Sequence, residues 1–568
     1  MRILFVLLAL FVVWSMFTGN RGPTVESGST LVVVIAGSYT EAAEPSFVGR
    51  LLGDRSQTFA SLLSDLRKAE RDDRIATVVF RIRDLQMGWA KIQELRSATR
   101  ALSDAGRRTV SFLEVSIAGG NREYYLASAS DEVFVSPGAS ANIIGLSADF
   151  FFFGGLWEKY GVGVEVEGIG EFKSAGEMLA GRTMSDPHRE MANSILDSTH
   201  GQFVAGIAAM RGLSEAEVQA AIDAPAATPA GMVERKFVDS VMHWDELLDT
   251  FGDAPRIEAE DYAKVDPATL GFEPEKRFAL VYGSGNVVMG SGTQSASGGQ
   301  RLTSDTVSEA LEDAADDPAI DAILFRIDSP GGSPLAAEIV WRASQRAKQS
   351  GKPLVASFSD VAASGGYYVA CAADAILAPP ASLVGSIGVF VTRPTLTGLF
   401  ENLDIGVETL KRGALADLFS PSEPLSDSAR ELLRREIAGT YELFVQRVAD
   451  GRGLSIDEVD EVARGRVWTG EQAAELGLID RVGGLREAVA VARELVGIDP
   501  DADVALIPYP PPRTVFEQLA AAMQNFSVAP TPVLPVPKAM RSVHAWFAAV
   551  ALGIGSPQLL PPFLVEIH

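Results

Sequence analysis

The chain repeats itself, and this constrains its fold more than any other feature. TVVFRIRDL at 77–85 recurs as AILFRIDSP at 322–330, 245 residues later. YYLASASD (124–131) recurs as YYVACAAD (367–374) at 243. MSDPHRE (184–190) and LSDSARE (425–431), RGLS (211–214) and RGLS (452–455), and VDSV (238–241) and IDRV (479–482) all pair at 241. The offset drops by two residues twice, as differences in loop length produce. A unit this long is a domain, not a solenoid repeat of about 20–50 residues. Each copy alternates β-branched runs such as TLVVVIAG, ATVVFRI and RFALVYG with helical stretches such as QTFASLLSDLRKAE and SEALEDAADD. Apolar strands between amphipathic helices predict βα units on a largely parallel sheet. The expected class is α/β, with a first repeat over 29–250, a linker over 251–276 and a second repeat over 277–500.

The two ends read differently. Arg2 precedes ILFVLLALFVVWSMF, fifteen apolar residues at 3–17. As a helix this run spans about 22 Å, short of the roughly 30 Å hydrocarbon core, with Trp14 near the interface. TGNRG behind it offers no small-x-small cleavage site, so residues 1–19 are expected to be an uncleaved signal anchor, with the body outside the cytoplasm. The tail, 501–568, carries YPPP and APTPVLPVP, which fit neither a helix nor a central strand. GSGNVVMGSGTQSASGGQ at 283–300 reads as a Gly/Ser-rich loop.

Composition narrows the function. A formal net charge of −25 argues against nucleic acid, whose phosphates need clustered Lys and Arg. One cysteine, Cys371, makes no intramolecular disulfide, and its apolar surroundings suit a small core residue. No Cys/His cluster offers a metal site, so neither metal nor cofactor is expected. There is no G-x-S-x-G elbow, and the five histidines (188, 200, 243, 544 and 568) avoid the Gly-rich turns, which disfavours a Ser-His-Asp triad.

The chemistry emerges where the copies differ. The second repeat follows its LFRI strand with DSPGGSP (328–334), then reaches VAASGGYY, with Ser364 at a strand-to-helix junction ahead of Gly365 and Gly366. There the N–H groups of Gly332 and Gly365 can form an oxyanion hole. Taken alone, Ser364 reads equally well as a helix N-cap and the glycines as turn residues. The first repeat has RDLQMG in place of DSPGG, and Gly119 or Asn121 in place of Ser364. It contains GIGEFKSAGEMLAGRTMS (168–185) with Lys173, whose counterpart in the second repeat is Ala414. Serine is kept in one copy and lysine in the other. A serine without histidine requires another base, and a neutral lysine is the usual alternative. The copies therefore read as two halves of a Ser–Lys dyad within one chain. Lys173 must be unprotonated, which burial between the repeats near Phe172 and Ile387 would favour.

Anchor, tandem repeat, SPGG, AASGGYY, VGSIG (384–388) and FKSA together resemble the long form of the signal peptide peptidase A family, over about residues 1–500. The resemblance implies a Clp-protease/crotonase-like fold in both repeats and a homo-oligomer, a tetramer in the family. It implies a serine endopeptidase of the bacterial inner membrane, with its body on the periplasmic side, that cuts spent signal peptides and other hydrophobic peptides. On it Ser364 is the nucleophile, Lys173 the general base, and Ser386 in VGSIG orients the lysine. Two other readings share these features: a crotonase-like acyl-transfer enzyme, disfavoured because an exported body lacks coenzyme A, and an inactive envelope scaffold, disfavoured by an intact Ser364 and Lys173.

Overall fold

The computed structural model describes residues 23–41, 57–116, 120–140, 142–293 and 299–511. The expected anchor at 1–19 and all of the tail beyond 511 lie outside them. Among the described residues no helix is long and apolar enough to cross a membrane.

The first repeat is built on strands β1 (Ser29–Gly37), β2 (Ile75–Leu85), β3 (Arg108–Glu114), β4 (Glu132–Val135), β6 (Ser240–Val241) and β7 (Arg256–Glu258). They form one parallel sheet in the order β6-β4-β3-β2-β1-β7. The second repeat is built on β8 (Lys276–Ser284), β11 (Ala322–Ser329), β12 (Leu354–Ala363), β13 (Ala375–Ala378), β17 (Arg481–Val482) and β18 (Val504–Tyr509). Its parallel ladders run β17-β13-β12-β11-β8-β18, the same order as the first sheet. β14 (Leu383–Gly385), also on β12, carries β16 (Val467–Thr469) antiparallel. A short pair, β9 (Asn286–Val288) and β10 (Arg301–Thr303), forms where the sequence led to a loop throughout 283–300, because the NVV run inside that Gly/Ser-rich stretch is apolar enough to pair. The remaining pair joins the repeats: β5 (Gly163–Ile169) runs antiparallel to β15 (Val389–Thr395) over seven residue pairs.

Matching local chemistry makes matching elements. Each repeat has a 26-residue helix, Asp186–Arg211 and Asp427–Arg452, started by Ser185 or Ser426 accepting a backbone N–H. Each ends on a left-handed glycine, Gly212 at φ 64° and Gly453 at φ 66°. Tyr124 Oη donates to Phe237 O and Tyr367 Oη to Leu478 O, both at 2.7 Å. This buried bond occurs in both copies and ties the helix behind each elbow to the far end of its repeat.

Two boundaries differ from the sequence reading. β7 lies within the expected linker yet pairs with β1, and Tyr262 after it is fully buried. β18 lies beyond residue 500, in the expected tail, yet pairs with β8 and buries Tyr509. Both are edge strands, the position in a sheet that tolerates the prolines of 508–511. Each repeat is therefore completed by an edge strand that its composition conceals.

Where the repeats meet, Arg326 of β11 has no exposed surface and pairs with Glu41 at 3.0 Å and Glu94 at 2.6 Å. Lys91, three residues before Glu94 on the helix Trp89–Asp104, reaches Asp328 at 2.5 Å and Asp360 at 3.0 Å. Asp360 also accepts the backbone N–H groups of Gly88 and Lys91, so an acid of the second repeat caps a helix of the first.

Candidate active site

Ser364 follows β12 directly and opens the short helix Gly365–Tyr368. Its backbone sits at φ 55° and ψ −118°, a conformation that costs a non-glycine residue about 1–3 kcal/mol. Its N–H donates to Gly385 O at 2.7 Å and its carbonyl accepts from Tyr368 N–H, which fix the elbow. The same position in the first repeat holds Asn121, at the head of the helix Asn121–Ala127. Its amide donates to Gly145 O and accepts from Ile144 N–H, a structural use of the elbow with no nucleophile. Gly119, the other counterpart weighed from sequence, lies outside the described residues.

Lys173 comes from the first repeat, four residues beyond β5. Because β5 pairs with β15, and Ile169 with Val389, the loop leaving one strand lies beside the loop entering the other. Lys173 and Ser386 therefore meet at one end of the inter-repeat ribbon. Lys173 Nζ lies 2.8 Å from Ser364 Oγ, 2.9 Å from Ser386 O and 2.9 Å from Ser386 Oγ. Ser364 and Ser386 have no exposed surface and Lys173 keeps 7%. Burial holds the Lys173 pKa well below the ordinary lysine value, because no water solvates an ammonium there. A neutral amine has two N–H donors and one lone pair. Ser386 offers two acceptors, which leaves the lone pair for the Ser364 hydroxyl.

The glycines meet at the same point. Gly331 and Gly332 have φ of 100° and 155°, and a Cβ on Gly332 would lie 2.1 Å from Val287 O. Val287 N–H donates to Gly331 O and Val287 O accepts from Ser333 N–H, so the bridge bypasses the Gly332 N–H. A Cβ on Gly365 would lie 3.1 Å from Gly332 N, which puts the two glycine backbones in contact beside Ser364. Gly365, first in its helix, has an N–H with no intrahelical acceptor. The two N–H groups can receive a developing oxyanion.

Sequence reasoning missed the clamp holding this arrangement. Phe172 N–H donates to Arg464 O, Gly465 N–H to Ile387 O, and Ser386 N–H to Arg466 O. Residues 464–466 thus bond the lysine loop on one side and the Ser386 loop on the other. A Cβ on Gly465, at φ 81°, would lie 2.5 Å from Lys173 Cβ. At the 241 offset its counterpart is Ala224, so the comparison that isolated Ser364 and Lys173 carries this signal too. Ile387 is buried as expected, while Phe172 is half-buried with the Arg466 guanidinium 4.6 Å over its ring.

Other candidates fall away. Burial pushes the Cys371 thiol up to about 12, which leaves it unreactive. Among the described residues no group of His, Cys, Asp and Glu could hold a metal. A cavity of about 670 Å³ lined by Leu63, Arg67, Tyr282, Val489 and Leu506 is elsewhere, and neither Ser364, Lys173 nor Ser386 lines it.

Comparison with known proteins gives the family and the class of enzyme. Residues 105–255 and 346–499 match the sequence profile of Peptidase family S49, one segment in each repeat. The chloroplastic serine protease SPPA of Arabidopsis thaliana is 32% identical over 502 residues, covering 86% of this chain and 72% of that one. Protease 4 of Haemophilus influenzae is 28% identical over 455 residues, covering 76% and 72%, and Protease 4 of Salmonella typhi is 28% identical over 453. Among solved structures, a ClpP1 mutant of Listeria monocytogenes overlaps 37% of this chain at 14% identity and a TM-score of 0.23, too slight a likeness to bear on the fold. A two-repeat α/β chain matched twice by one peptidase profile, and over most of its length by serine proteases, belongs to peptidase family S49 and is a serine protease.

Proposed function

We propose that the enzyme is a Ser–Lys endopeptidase in which Ser364 is the nucleophile and Lys173 the general base. The observation that carries this reading is the 2.8 Å contact between Lys173 Nζ and Ser364 Oγ, made by an amine whose pKa burial holds well below the ordinary lysine value. Ser364 Oγ attacks the peptide carbonyl carbon as its proton passes to Lys173 Nζ. The carbonyl oxygen becomes an oxyanion held by the N–H groups of Gly332 and Gly365. Lys173 returns the proton to the leaving amine as the C–N bond breaks, leaving an ester on Ser364. Water then attacks the ester with Lys173 taking its proton, and that proton passes back to Ser364 Oγ. Ser386 keeps the amine oriented through both steps.

The first repeat, from residue 29, thus supplies the base, and the second, from 277, the nucleophile. The proposed substrates are hydrophobic peptides, spent signal peptides among them. The apolar run at 3–17 supports a membrane anchor at 1–19, with the body on the outer face of a bacterial cell membrane. The family resemblance supports a homo-oligomer, a tetramer, and a Clp-protease/crotonase-like form for each repeat. Digestion of casein and of a synthetic signal peptide by wild type and Ser364→Ala tests the reading. Ser364→Ala is expected to be folded and inactive, and turnover retained in a clean preparation would overturn the assignment.

A further inference from the structure

The cavity of about 670 Å³ that the catalytic residues leave untouched lies at the seam between the repeats. The helix Phe59–Arg71 of the first repeat forms one wall. The face of β8 and β18 and the helix Leu485–Val496, all of the second repeat, form the others. Inside, Leu63 and Leu506 pack on the buried cluster that includes Leu280 and Val489. The size is that of a small-molecule site. Helix flanks and a sheet face present side chains, because their backbone groups are bonded along the elements. A peptide entering such a cavity would leave its own N–H and C=O groups unpaired. An acyl chain brings none.

The charged lining holds one cation without a partner. Arg67 and Arg486 both pair with Glu70, and Lys68 with Asp65. Arg493 makes no ion pair or side-chain hydrogen bond among the described residues, and its buried Nε has no acceptor. Of the acids near it, Asp503 is bonded to Arg71 and Asp501 stands beyond ion-pair reach. Burial, with the Arg67 and Arg486 charges, holds the Arg493 pKa below the ordinary arginine value. The duplication sets this feature apart. At the 241 offset the 12-residue helix Leu485–Val496 starts in step with its 6-residue counterpart, Trp244–Asp249, and outruns it. Arg493 stands in the extra length, where the first repeat has Gly252.

We propose that this cavity binds a long-chain fatty acid, its acyl chain along Leu63, Leu280, Val489 and Leu506 and its carboxylate on the Arg493 guanidinium. A guanidinium matches a carboxylate in charge and in its two parallel N–H donors. One unpaired cation balances one negative charge. A doubly charged phosphate head would bring a second charge toward Asp501 and Asp503 with nothing to match it. The bound chain touches both repeats and so ties together the halves that supply Lys173 and Ser364. The site is independent of the dyad and of its chemistry.

The test uses the full chain in non-ionic detergent with Ser364→Ala throughout, so that its outcome is independent of catalysis. The probe is palmitate with a diazirine at its methyl end, photolysed and located by peptide mass spectrometry. Label is expected in peptides containing Leu63, Leu280, Val489 or Leu506, and excess palmitate is expected to remove it. Arg493→Gln, which breaks no bond of the fold, is expected to raise the half-saturating probe concentration about tenfold or more. Methyl palmitate, which lacks the charge, is expected to need a concentration about tenfold above that of palmitate to remove the label. Label that excess palmitate leaves in place, label confined to other peptides, or an unchanged half-saturating concentration in Arg493→Gln would each overturn the proposal. Tighter competition by lysophosphatidate or by an apolar peptide would overturn it too, in favour of a phosphate head or a peptide.

Discussion

Lys173 and Ser364 lie 191 residues apart in the chain and 2.8 Å apart in space, each contributed by a different copy of one ancestral fold. What joins them is the β5–β15 ribbon, the element in which strands of the two copies pair. The arrangement forces an amine out of water, and consequences follow for stability as well as for chemistry.

The buried lysine makes stability depend on pH. Its folded pKa lies below its unfolded value of about 10.4, so between the two the unfolded chain binds the extra proton. Stability from this site therefore rises as pH rises through that window and is lost toward acid. Lys173→Met removes the dependence. Its melting temperature relative to wild type is expected to be highest at low pH and to fall steadily toward pH 10, measured by calorimetry. A difference that is flat across pH 6–10 would show that the lysine is not held neutral.

The clamp at Gly465 predicts a split between activity and stability. Gly465→Ala places a methyl group 2.5 Å from Lys173 Cβ and strains a backbone at φ 81°. Displacing the amine is expected to lower kcat about 100-fold, within the usual range for a general base, with a smaller change in KM. Gly453→Ala, at φ 66° with nothing near its added carbon, is expected to cost about 1 kcal/mol of stability and leave kcat unchanged. Equal kcat in the two variants would mean that Gly465 has no positioning role.

At the seam, Arg326→Met leaves Glu94 buried without its counter-charge and Glu41 with Lys91 alone, at 3.4 Å. Arg326 and Lys91 hold the Glu41 pKa down at about 2, while burial raises that of Glu94. Removing one partner of such a cluster costs about 3–5 kcal/mol. Urea denaturation should show that loss, and Glu41→Gln with Glu94→Gln added to Arg326→Met should recover most of it. A loss below about 1 kcal/mol would show that the seam is held by apolar contacts alone.

Much of this was legible because duplication supplies an internal reference. Offsets of 241–245 gave the two repeats, and the reciprocal survival of Ser364 and Lys173 singled out the residues now found in contact. Ser386 came only from the family resemblance, since a serine in VGSIG has no distinguishing pattern. Gly465 reads as one more turn glycine until it is set against Ala224. β7 and β18 were hidden because edge strands tolerate proline and need little apolar sequence. Arg326 lies 285 residues from Glu41 and 232 from Glu94, and no local periodicity announces such partners.

The central claim is that neutral Lys173 activates Ser364. It is tested most directly by the rate at which a fluorophosphonate acquires Ser364 Oγ, followed from pH 5 to 10 and located by peptide mass spectrometry. In wild type the label is expected on Ser364, at a rate that rises with pH through a pKa well below 10.4 and then levels. Lys173→Ala and Lys173→Arg are both expected to react about 100-fold to 10,000-fold more slowly, because arginine keeps the charge but cannot be deprotonated. Label on another residue, or the same pH limb and rate in Lys173→Arg, would contradict the account.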